Sequence, residues 1–297
     1  ALALAKVMER PTFDLSKRNY QAIAFGVLLI PIVLILLQPD TGTAMVYFSL
    51  LIMFYREGLP QWYYGLGIGS VGITLLALGV DNNLYLAAII ILVVGGLIYL
   101  GKKSWQRILA FSLIGIGLIT YIYSIDFVVS KLPPHQQNRI MVLFNPDIDP
   151  LGVGWNVTQS KIAIGSGGFF GKGWREGTQS HLEFIPEKHT DFVFAVFAEE
   201  FGFLGNLVLI LLFFALIKRG LTISMGAPTL FTRLLGGAIS LIFFTYAFVN
   251  IGMVTGLLPV VGVPLPLLSY GGTALVTLGF GAGILMSIHR HRRLVQS

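Results

Sequence analysis

The feature that most constrains this chain is a succession of apolar segments, each long enough to cross a lipid bilayer or nearly so. A helix needs roughly 20 apolar residues to span the ~30 Å hydrocarbon core. Hydrophobic residues make up 55% of the chain and charged residues 11%, which is more apolar surface than one soluble core can bury. The pattern predicts an all-α, polytopic transmembrane helix bundle of about eight spans, at about 20–37, 42–55, 63–80, 84–100, 107–125, 192–217, 234–258 and 267–288.

The basic residues predict the orientation of this bundle. Fourteen of the 20 Lys and Arg residues would share the side of the membrane that holds the N-terminus, and the other six lie in one polar segment between the fifth and sixth spans. Because cytoplasmic loops are enriched in Lys and Arg, we expect a multi-pass protein of the cytoplasmic (inner) membrane with both termini in the cytoplasm. The net charge of +6 comes from short groups rather than one basic patch, which argues against nucleic-acid binding.

This pattern divides the chain into N-terminal transmembrane helices over 1–125, a large extracytoplasmic loop over 126–190 and C-terminal transmembrane helices over 191–297. A connection as long as this loop is uncommon and is normally either disordered or functional. Its aromatic and apolar residues argue against disorder. The chain has no cysteine, so any catalysis would depend on carboxylates, histidines, hydroxyls and basic groups.

Asp191 lies where the loop meets the sixth span, directly after His189 and Thr190. One interpretation is structural, because an acid in the first turn of a helix is stabilised by the helix dipole and Thr190 could cap the helix. The other is catalytic, because a partly desolvated carboxylate at the water–lipid boundary could take a proton from a sugar hydroxyl. The spacing alone leaves both interpretations open.

Three further acids are candidates. Glu199 and Glu200 follow about 12–14 Å further along the same helix, where an acid is costly unless it faces a cavity or pairs with a cation. At ~100° per residue Glu199 and Glu200 project about 80° and 180° from Asp191, so we do not expect them to line the same cavity wall as Asp191. Asp40, in a Pro-Asp-Thr-Gly sequence on the same side of the membrane, is either an ordinary turn residue or part of the site.

The polar segment has enough positive charge to hold a diphosphate near the outer leaflet. The candidates, each of which could instead be a solvated loop charge, are Arg139, Lys161, Lys172, Arg175 and Lys188. A Gly-rich stretch at 165–173 could offer backbone amides to phosphate, but it matches neither a P-loop nor a dinucleotide motif. The histidines of the segment lack the spacing of zinc ligands, so no dedicated metal site is predicted.

The connection between the last two spans, 261–272, contains two prolines and a Ser-Tyr-Gly-Gly sequence. At membrane depth this pattern indicates either a helix hairpin or a re-entrant segment that protein or a wet cavity buries.

Five sequence blocks, in order, resemble the SEDS family of cell-wall polymerases, named for shape, elongation, division and sporulation. The stretch Gly171-Lys172-Gly173-Trp174 is closer to its RodA branch than to its division branch, FtsW, and the resemblance covers most of the chain from Gln38 on. The blocks are Gln38-Pro39-Asp40-x-Gly42-Thr43; Arg139 with Phe144-Asn145-Pro146 and Asp149-Pro150-Leu151-Gly152; Gln159-Ser160-Lys161-Ile162-Ala163-Ile164-Gly165-Ser166-Gly167-Gly168; Pro186-Glu187-x-His189-Thr190-Asp191-Phe192 with Glu199-Glu200; and Asn250-Ile251-Gly252-Met253 with Pro264-Leu265-Pro266 and Ser269-Tyr270-Gly271-Gly272.

The resemblance implies a peptidoglycan glycosyltransferase that polymerises lipid II at the outer face of the membrane during cell elongation. Asp191 matches the family's essential aspartate, and its implied role is to deprotonate the acceptor sugar's 4-hydroxyl while undecaprenyl diphosphate leaves with inversion. The five basic candidates, with Asp40, Glu199, Glu200 and Ser269, would bind substrate. The implied partners are a class B penicillin-binding protein and other elongation-complex membrane proteins, and the implied cofactor is a divalent cation, Mg²⁺ or Mn²⁺.

Two departures from the family pattern stand out. The family has ten helices, and this chain begins near the fourth, so we expect three helices and a Gln-Pro-Ser-Glu-x-x-Lys block to be missing upstream. Between Arg56 and Asp126 we expect three spans where the family usually has one, which is an insertion of two helices that preserves loop sidedness.

Two other function classes fit a polytopic bundle. A flippase or transporter for lipid-linked precursors would need a polar path from the inner face, whereas the polar residues here are concentrated on the outer side. A scaffold that only binds partners would leave the dense outer loop unexplained. Substitution of Asp191 distinguishes these alternatives from an enzyme.

Overall fold

The computed structural model describes residues 1–80, 82–100, 104–150, 152–181 and 189–291, with Ser180 and His181 described by their backbone alone. Over these ranges the regular structure is helical. The helices are α1 Leu2–Met8, α2 Arg18–Leu37, α3 Thr41–Ser49, α4 Leu51–Arg56, α5 Trp62–Gly79, α6 Asn83–Leu100, α7 Trp105–Lys131, α8 Pro134–Met141, α9 Val153–Ser166, α10 Thr178–His181, α11 Val193–Met225, α12 Leu230–Val254 and α13 Gly272–His291, with a short 3₁₀ helix at Pro146–Ile148.

Seven of these helices, α2, α5, α6, α7, α11, α12 and α13, are long and apolar enough to cross a membrane. The predicted segment at 42–55 differs, because it forms two short helices, α3 and α4, that meet at Leu50. There the amide of Leu50 donates to Tyr47 O and that of Met53 donates to Leu50 O, so three-residue hydrogen bonds interrupt the α-helical pattern. The predicted all-helical membrane bundle is confirmed, with this one segment divided.

Most of the spanning helices expose their side chains, as expected for a protein solvated by lipid. Buried residues make up 6–22% of the most apolar window in six of them, but 61% in α12. A soluble fold could not leave so many large apolar side chains in contact with water. The protein is therefore a multi-pass membrane protein, and α12 is the most enclosed of these seven helices.

The chain forms two compact units. In the unit 61–148, α5 and α6 pack against α7, and the core contains Ala77, Ile122, Ile125 and Val129. In the unit formed by 1–60 and 149–297, α11 packs along α12, and α9 packs along α11. The second of these units contains the turn around Asp191.

The helix α11 is broken at Gly202, which has φ 63° and ψ −162°, a conformation that only glycine adopts readily. The break frees the carbonyls of Glu199 and Glu200 and the amides of Phe203 and Leu204 from their α-helical hydrogen bonds.

The Gly-rich stretch at 165–173, which we call the Gly-rich turn, supplies hydrogen-bond partners for these carbonyls and amides. Carbonyls of Gly168 and Phe169 accept from Phe203 N and Leu204 N at 2.9 and 3.1 Å, and amides of Lys172 and Gly173 donate to Glu199 O and Glu200 O, both at 3.0 Å. The turn can come this close to α11 because Gly167, Gly171 and Gly202 have no side chain. A Cβ atom at any of the three would overlap neighbouring backbone. These glycines therefore serve packing against α11.

The length of α11 locates one membrane boundary. Its 33 residues, summed over the parts before and after the break at Gly202, correspond to about 50 Å of helix, more than the ~30 Å hydrocarbon core. Between Glu200 and Lys218 the helix carries no charged residue, and the 18 steps from one to the other correspond to about 27 Å. The first turns of α11, and the turn that precedes them, therefore lie at the level of the lipid head groups.

Candidate functional site

Asp191 lies in a turn, 189–192, immediately before α11. The N-cap of the helix is Phe192, which makes no side-chain capping bond, and the first helical turn contains no acidic residue. Asp191 thus lies one residue before the N-cap rather than inside the first turn. Its side chain is half-buried rather than solvated.

Three consecutive carbonyls of this turn accept hydrogen bonds from the C-terminal helices and their connection. The amide of Tyr270 donates to His189 O at 2.8 Å, the hydroxyl of Ser269 to Thr190 O at 2.6 Å, and Nδ2 of Asn250 to Asp191 O at 2.8 Å. We call these three contacts the carbonyl clamp. They fix the backbone that carries Asp191.

The carboxylate of Asp191 is directed towards the connection between α12 and α13. A Cβ atom built on Gly262 would lie 3.3 Å from Oδ2 of Asp191, so the absence of a side chain there makes room for the carboxylate. Gly262 also has φ +73°, a left-handed conformation that favours glycine. Gly42 makes room for the same connection rather than for the carboxylate, since a Cβ there would lie 2.6 Å from Val261 O.

An open cleft of about 610 Å³ adjoins the clamp. It is lined by His189 and Val193 on one side and by residues of the α12–α13 connection and α13 on the other: Leu267, Leu268, Ser269, Tyr270, Gly271, Gly272 and Leu275. Apolar walls with a few polar groups are typical of a ligand site.

Glu199 is fully buried and joins α11 to the Gly-rich turn. Its Oε1 accepts from Lys172 Nζ at 2.7 Å, from Thr178 Oγ1 at 3.1 Å and from Gln179 N at 3.0 Å. A buried carboxylate is stable only with such partners. Glu199 thus has the paired role that its depth in the helix indicated, and Glu200 contacts the same turn through its backbone carbonyl.

The basic candidates occupy different surroundings. Lys172 is engaged with Glu199 and Thr178. Lys161 is exposed on α9, and its Nζ lies where a side chain of Gly256 would be, just beyond the C-terminus of α12. Arg175 is exposed, with φ +63°, and Arg139 lies in α8, in the unit 61–148. Lys188 lies outside the described residues.

Asp40 makes hydrogen bonds within its own turn, whereas Ser269 makes one local and one long-range hydrogen bond. Asp40 caps α3, its two carboxylate oxygens accepting from Thr43 N at 2.9 Å and Thr43 Oγ1 at 2.6 Å. The hydroxyl of Ser269 is largely buried, and it accepts from Leu265 N at 2.7 Å in addition to donating to Thr190 O. Ser269 therefore stabilises the turn of Asp191 through the carbonyl of the preceding residue, Thr190.

A divalent cation would need carboxylate or imidazole ligands brought together. Across the described ranges, no group of three His, Asp or Glu side chains is close enough to hold one. One or two carboxylates together with substrate phosphates can also hold Mg²⁺, so this finding concerns only a site built by the protein alone. No step of the chemistry below passes through a metal.

Sequence reasoning did not identify Asn250 or Gly262 as parts of the site. Asn250 was visible as a lone amide inside an apolar span, which is costly and therefore informative. Its contact with the turn of Asp191, 59 residues away in the chain, could not be read from spacing.

Comparison with known proteins gives a consistent result. A family model described as cell cycle protein, FtsW/RodA/SpoVE, matches residues 67–294. The peptidoglycan glycosyltransferase MrdB of Escherichia coli K12 is 48% identical over 81% of this chain and 64% of its own length. The peptidoglycan glycosyltransferase RodA of Treponema pallidum is 34% identical over 88% of this chain and 66% of its own length.

A solved structure of a peptidoglycan synthase complex that coordinates polymerization and crosslinking is similar in fold. It matches with a TM-score of 0.64 and 27% identity, over 98% of this chain and 67% of the other. The chain thus spans slightly less than two thirds of the length of the curated relatives it matches. The matched length and the sequence blocks show that the chain belongs to the SEDS family of FtsW, RodA and SpoVE proteins.

Proposed function

We propose that this protein is a peptidoglycan glycosyltransferase that polymerises lipid II into glycan strands during cell elongation. The observation that carries the proposal is the half-buried Asp191 in a turn whose three consecutive carbonyls accept hydrogen bonds. Its chain neighbours His189 and Val193 line the 610 Å³ cleft, whereas its own carboxylate approaches Gly262. The relatives named peptidoglycan glycosyltransferase support the same activity.

In the proposed reaction Asp191 acts as a general base. Its carboxylate accepts the proton of the acceptor sugar's 4-hydroxyl as that oxygen attacks the anomeric carbon of the donor. The bond between this carbon and the diphosphate breaks, undecaprenyl diphosphate leaves with the electron pair, and the anomeric configuration inverts. General-base catalysis contributes roughly 10²–10⁴-fold, so positioning of the two substrates must contribute too.

Charge near the leaving diphosphate would supply further stabilisation. Lys161 and Arg175, both exposed in the unit that contains Asp191, are the proposed contacts among the described residues. Lys172 is a weaker candidate, because the buried carboxylate of Glu199 already balances its charge. Asp40, Glu199 and Glu200 are proposed to support the site through structure, given their contacts with Thr43 and with the Gly-rich turn.

The proposed orientation places both termini in the cytoplasm and the turn of Asp191 at the outer face, as the distribution of Lys and Arg favours. The proposed partner is a class B penicillin-binding protein, whose transpeptidase would crosslink the strands, within a larger group of elongation-complex membrane proteins. The similarity to a synthase complex that coordinates polymerization and crosslinking supports this partner.

The test is to incubate the purified full-length protein, with a transpeptidase-inactive partner, with lipid II in detergent micelles. Polymerisation needs no second compartment, so glycan product and released undecaprenyl diphosphate are expected. A second assay places the same protein in sealed vesicles that contain lipid II. Movement of lipid II across these vesicles, with no polymer in the vesicles or in the micelles, would instead favour a flippase.

A further inference from the structure

We propose that Asn250 and Ser269 are positioning residues that aim the carboxylate of Asp191 by holding the carbonyls of its turn. The inference rests on the proposed role of Asp191. It concerns two side chains that reach Asp191 through its backbone and its neighbour, and that lie 59 and 78 residues further along the chain.

The orientation of the Asn250 amide follows from its neighbours. Nδ2 donates to Asp191 O at 2.8 Å and to Val263 O at 2.7 Å, so both N–H groups are used. The opposite amide orientation would face an oxygen towards two carbonyl acceptors, which cannot donate. Asn250 is fully buried, and its Oδ1 has no hydrogen-bond partner within the described part of the chain. The two donated bonds are therefore what this buried amide provides.

Through these bonds Asn250 links the turn of Asp191 to the segment that contains Gly262. Val263 O and Asp191 O are held by the same nitrogen, and Oδ2 of Asp191 lies 3.3 Å from the position that a Cβ of Gly262 would take. A shift of either carbonyl would change the distance between the carboxylate and this segment. Asn250 thus holds both the backbone of Asp191 and the segment that its carboxylate approaches.

Ser269 makes a second link of the same kind. Its hydroxyl accepts from Leu265 N at 2.7 Å and donates to Thr190 O at 2.6 Å. The chain of bonds connects the Pro-Leu-Pro sequence to the residue before Asp191. Because Ser269 is 8% exposed, water cannot readily replace the hydroxyl if it is removed.

The physical consequence concerns rate rather than substrate affinity. A general base must lie within hydrogen-bond reach of the proton it accepts, and a displacement of about 1 Å can cost roughly 10²-fold in rate. Neither side chain needs to contact substrate for this effect. We therefore expect substitutions to lower kcat and leave KM for lipid II nearly unchanged.

The first experiment compares Ser269→Thr with Ser269→Val in the full-length protein with its partner. Thr and Val have the same shape, but only Thr keeps the hydroxyl, so any strain from the added methyl group is shared. The expected kcat of Ser269→Val is about tenfold or more below that of Ser269→Thr, with KM within about twofold. Ser269→Ala, which adds no atoms, provides a second measurement if both larger side chains prevent folding.

The second experiment replaces Asn250 by Asp, which has the same shape but offers an oxygen to the two carbonyls. The control is Thr245→Val in the same helix, which removes a buried hydroxyl whose bond, to Leu241 O, stays within α12. We expect a loss of about tenfold to 10²-fold in kcat for Asn250→Asp and little change for the control.

Equal kcat for Ser269→Thr and Ser269→Val, or wild-type kcat for Asn250→Asp, would overturn the inference. A rise in KM with unchanged kcat would also overturn it, because it would indicate substrate contact. The proposed function fails separately: if Asp191→Asn polymerises lipid II at the wild-type rate, Asp191 is not the base, whatever the two clamp residues do.

Discussion

At the scale of single residues, the site depends on where side chains are absent as much as on where they are present. Gly262 combines a positive φ with a position at which a Cβ would lie 3.3 Å from Oδ2 of Asp191. Gly202 is a second such position. Its positive φ breaks α11 and allows the backbone of the Gly-rich turn to hydrogen-bond with the backbone of α11.

The substitution Gly262→Ala tests the space beside Asp191. The new Cβ would lie 3.3 Å from Oδ2, and the φ of +73° would strain any residue with a side chain by about 1–3 kcal/mol. We expect kcat for polymerisation to fall about tenfold or more as the carboxylate moves. The matched control is Gly283→Ala in α13, where a Cβ would meet nothing within 4 Å. Equal rates for both variants would contradict this account of Gly262.

The ion pair between Lys172 and Glu199 gives a residue-scale prediction about stability. Glu199→Gln leaves the ammonium of Lys172, which is 26% exposed, without its counter-charge, and we expect a loss of roughly 3 kcal/mol. The melting temperature of the purified protein measures it. The double variant Lys172→Met, Glu199→Gln should recover most of the loss, because it removes both charges.

Glu200→Gln is the matched control for that experiment, since Glu200 contacts the Gly-rich turn through its carbonyl, which the substitution keeps. A melting temperature of Glu199→Gln as high as that of Glu200→Gln would show that the buried pair does not stabilise the docked turn.

At the scale of elements, much of the helical pattern followed from the sequence and its interruptions did not. Runs of about 20 apolar residues predicted α2 and α5, because a bilayer leaves few alternatives to a helix. The division of the segment 42–55 at Leu50 was not visible, since no Pro or Gly marks it. The break in α11 had a signal in Gly202, but a glycine is also common in unbroken membrane helices.

The carbonyl clamp shows the same limit for the site. The sequence identified Asp191 as the leading candidate and Ser269 as a member of the site, through motifs in family order. It could not show that Ser269 contacts Thr190, because that hydrogen bond joins residues 79 positions apart. Lys161, Lys172 and Arg175 could be grouped by charge, but their different partners depend on tertiary contacts.

The break in α11 leads to a prediction at this scale. Gly202→Ala would force a side chain against Phe169 O, 2.8 Å from the new Cβ, and would disfavour the φ of 63°. We expect the Gly-rich turn to leave α11, so that a protease cleaves near Trp174 faster than in the wild type. The control Gly279→Ala lies in α13 with open space around it and should not change cleavage. Unchanged cleavage in Gly202→Ala would contradict the described docking.

At the scale of the whole molecule, the account requires the turn of Asp191 to face outwards. These 297 residues contain no cysteine, so a cysteine introduced among them labels one defined position of this region. Glu176 is exposed just after the Gly-rich turn, and Glu176→Cys should react with a membrane-impermeant maleimide in intact spheroplasts. Glu57→Cys should react only after permeabilisation. The reverse pattern would invert the proposed topology.

The measurement that tests the central claim most directly is the initial rate of glycan synthesis from lipid II by wild type, Asp191→Asn and Asp147→Asn. Each full-length protein is assayed with the same transpeptidase-inactive partner. Asp147 is an exposed acid and serves as the matched carboxylate control. The account predicts a fall of roughly 10²-fold or more for Asp191→Asn, with normal complex formation, and a wild-type rate for Asp147→Asn. Wild-type polymerisation by Asp191→Asn would contradict it.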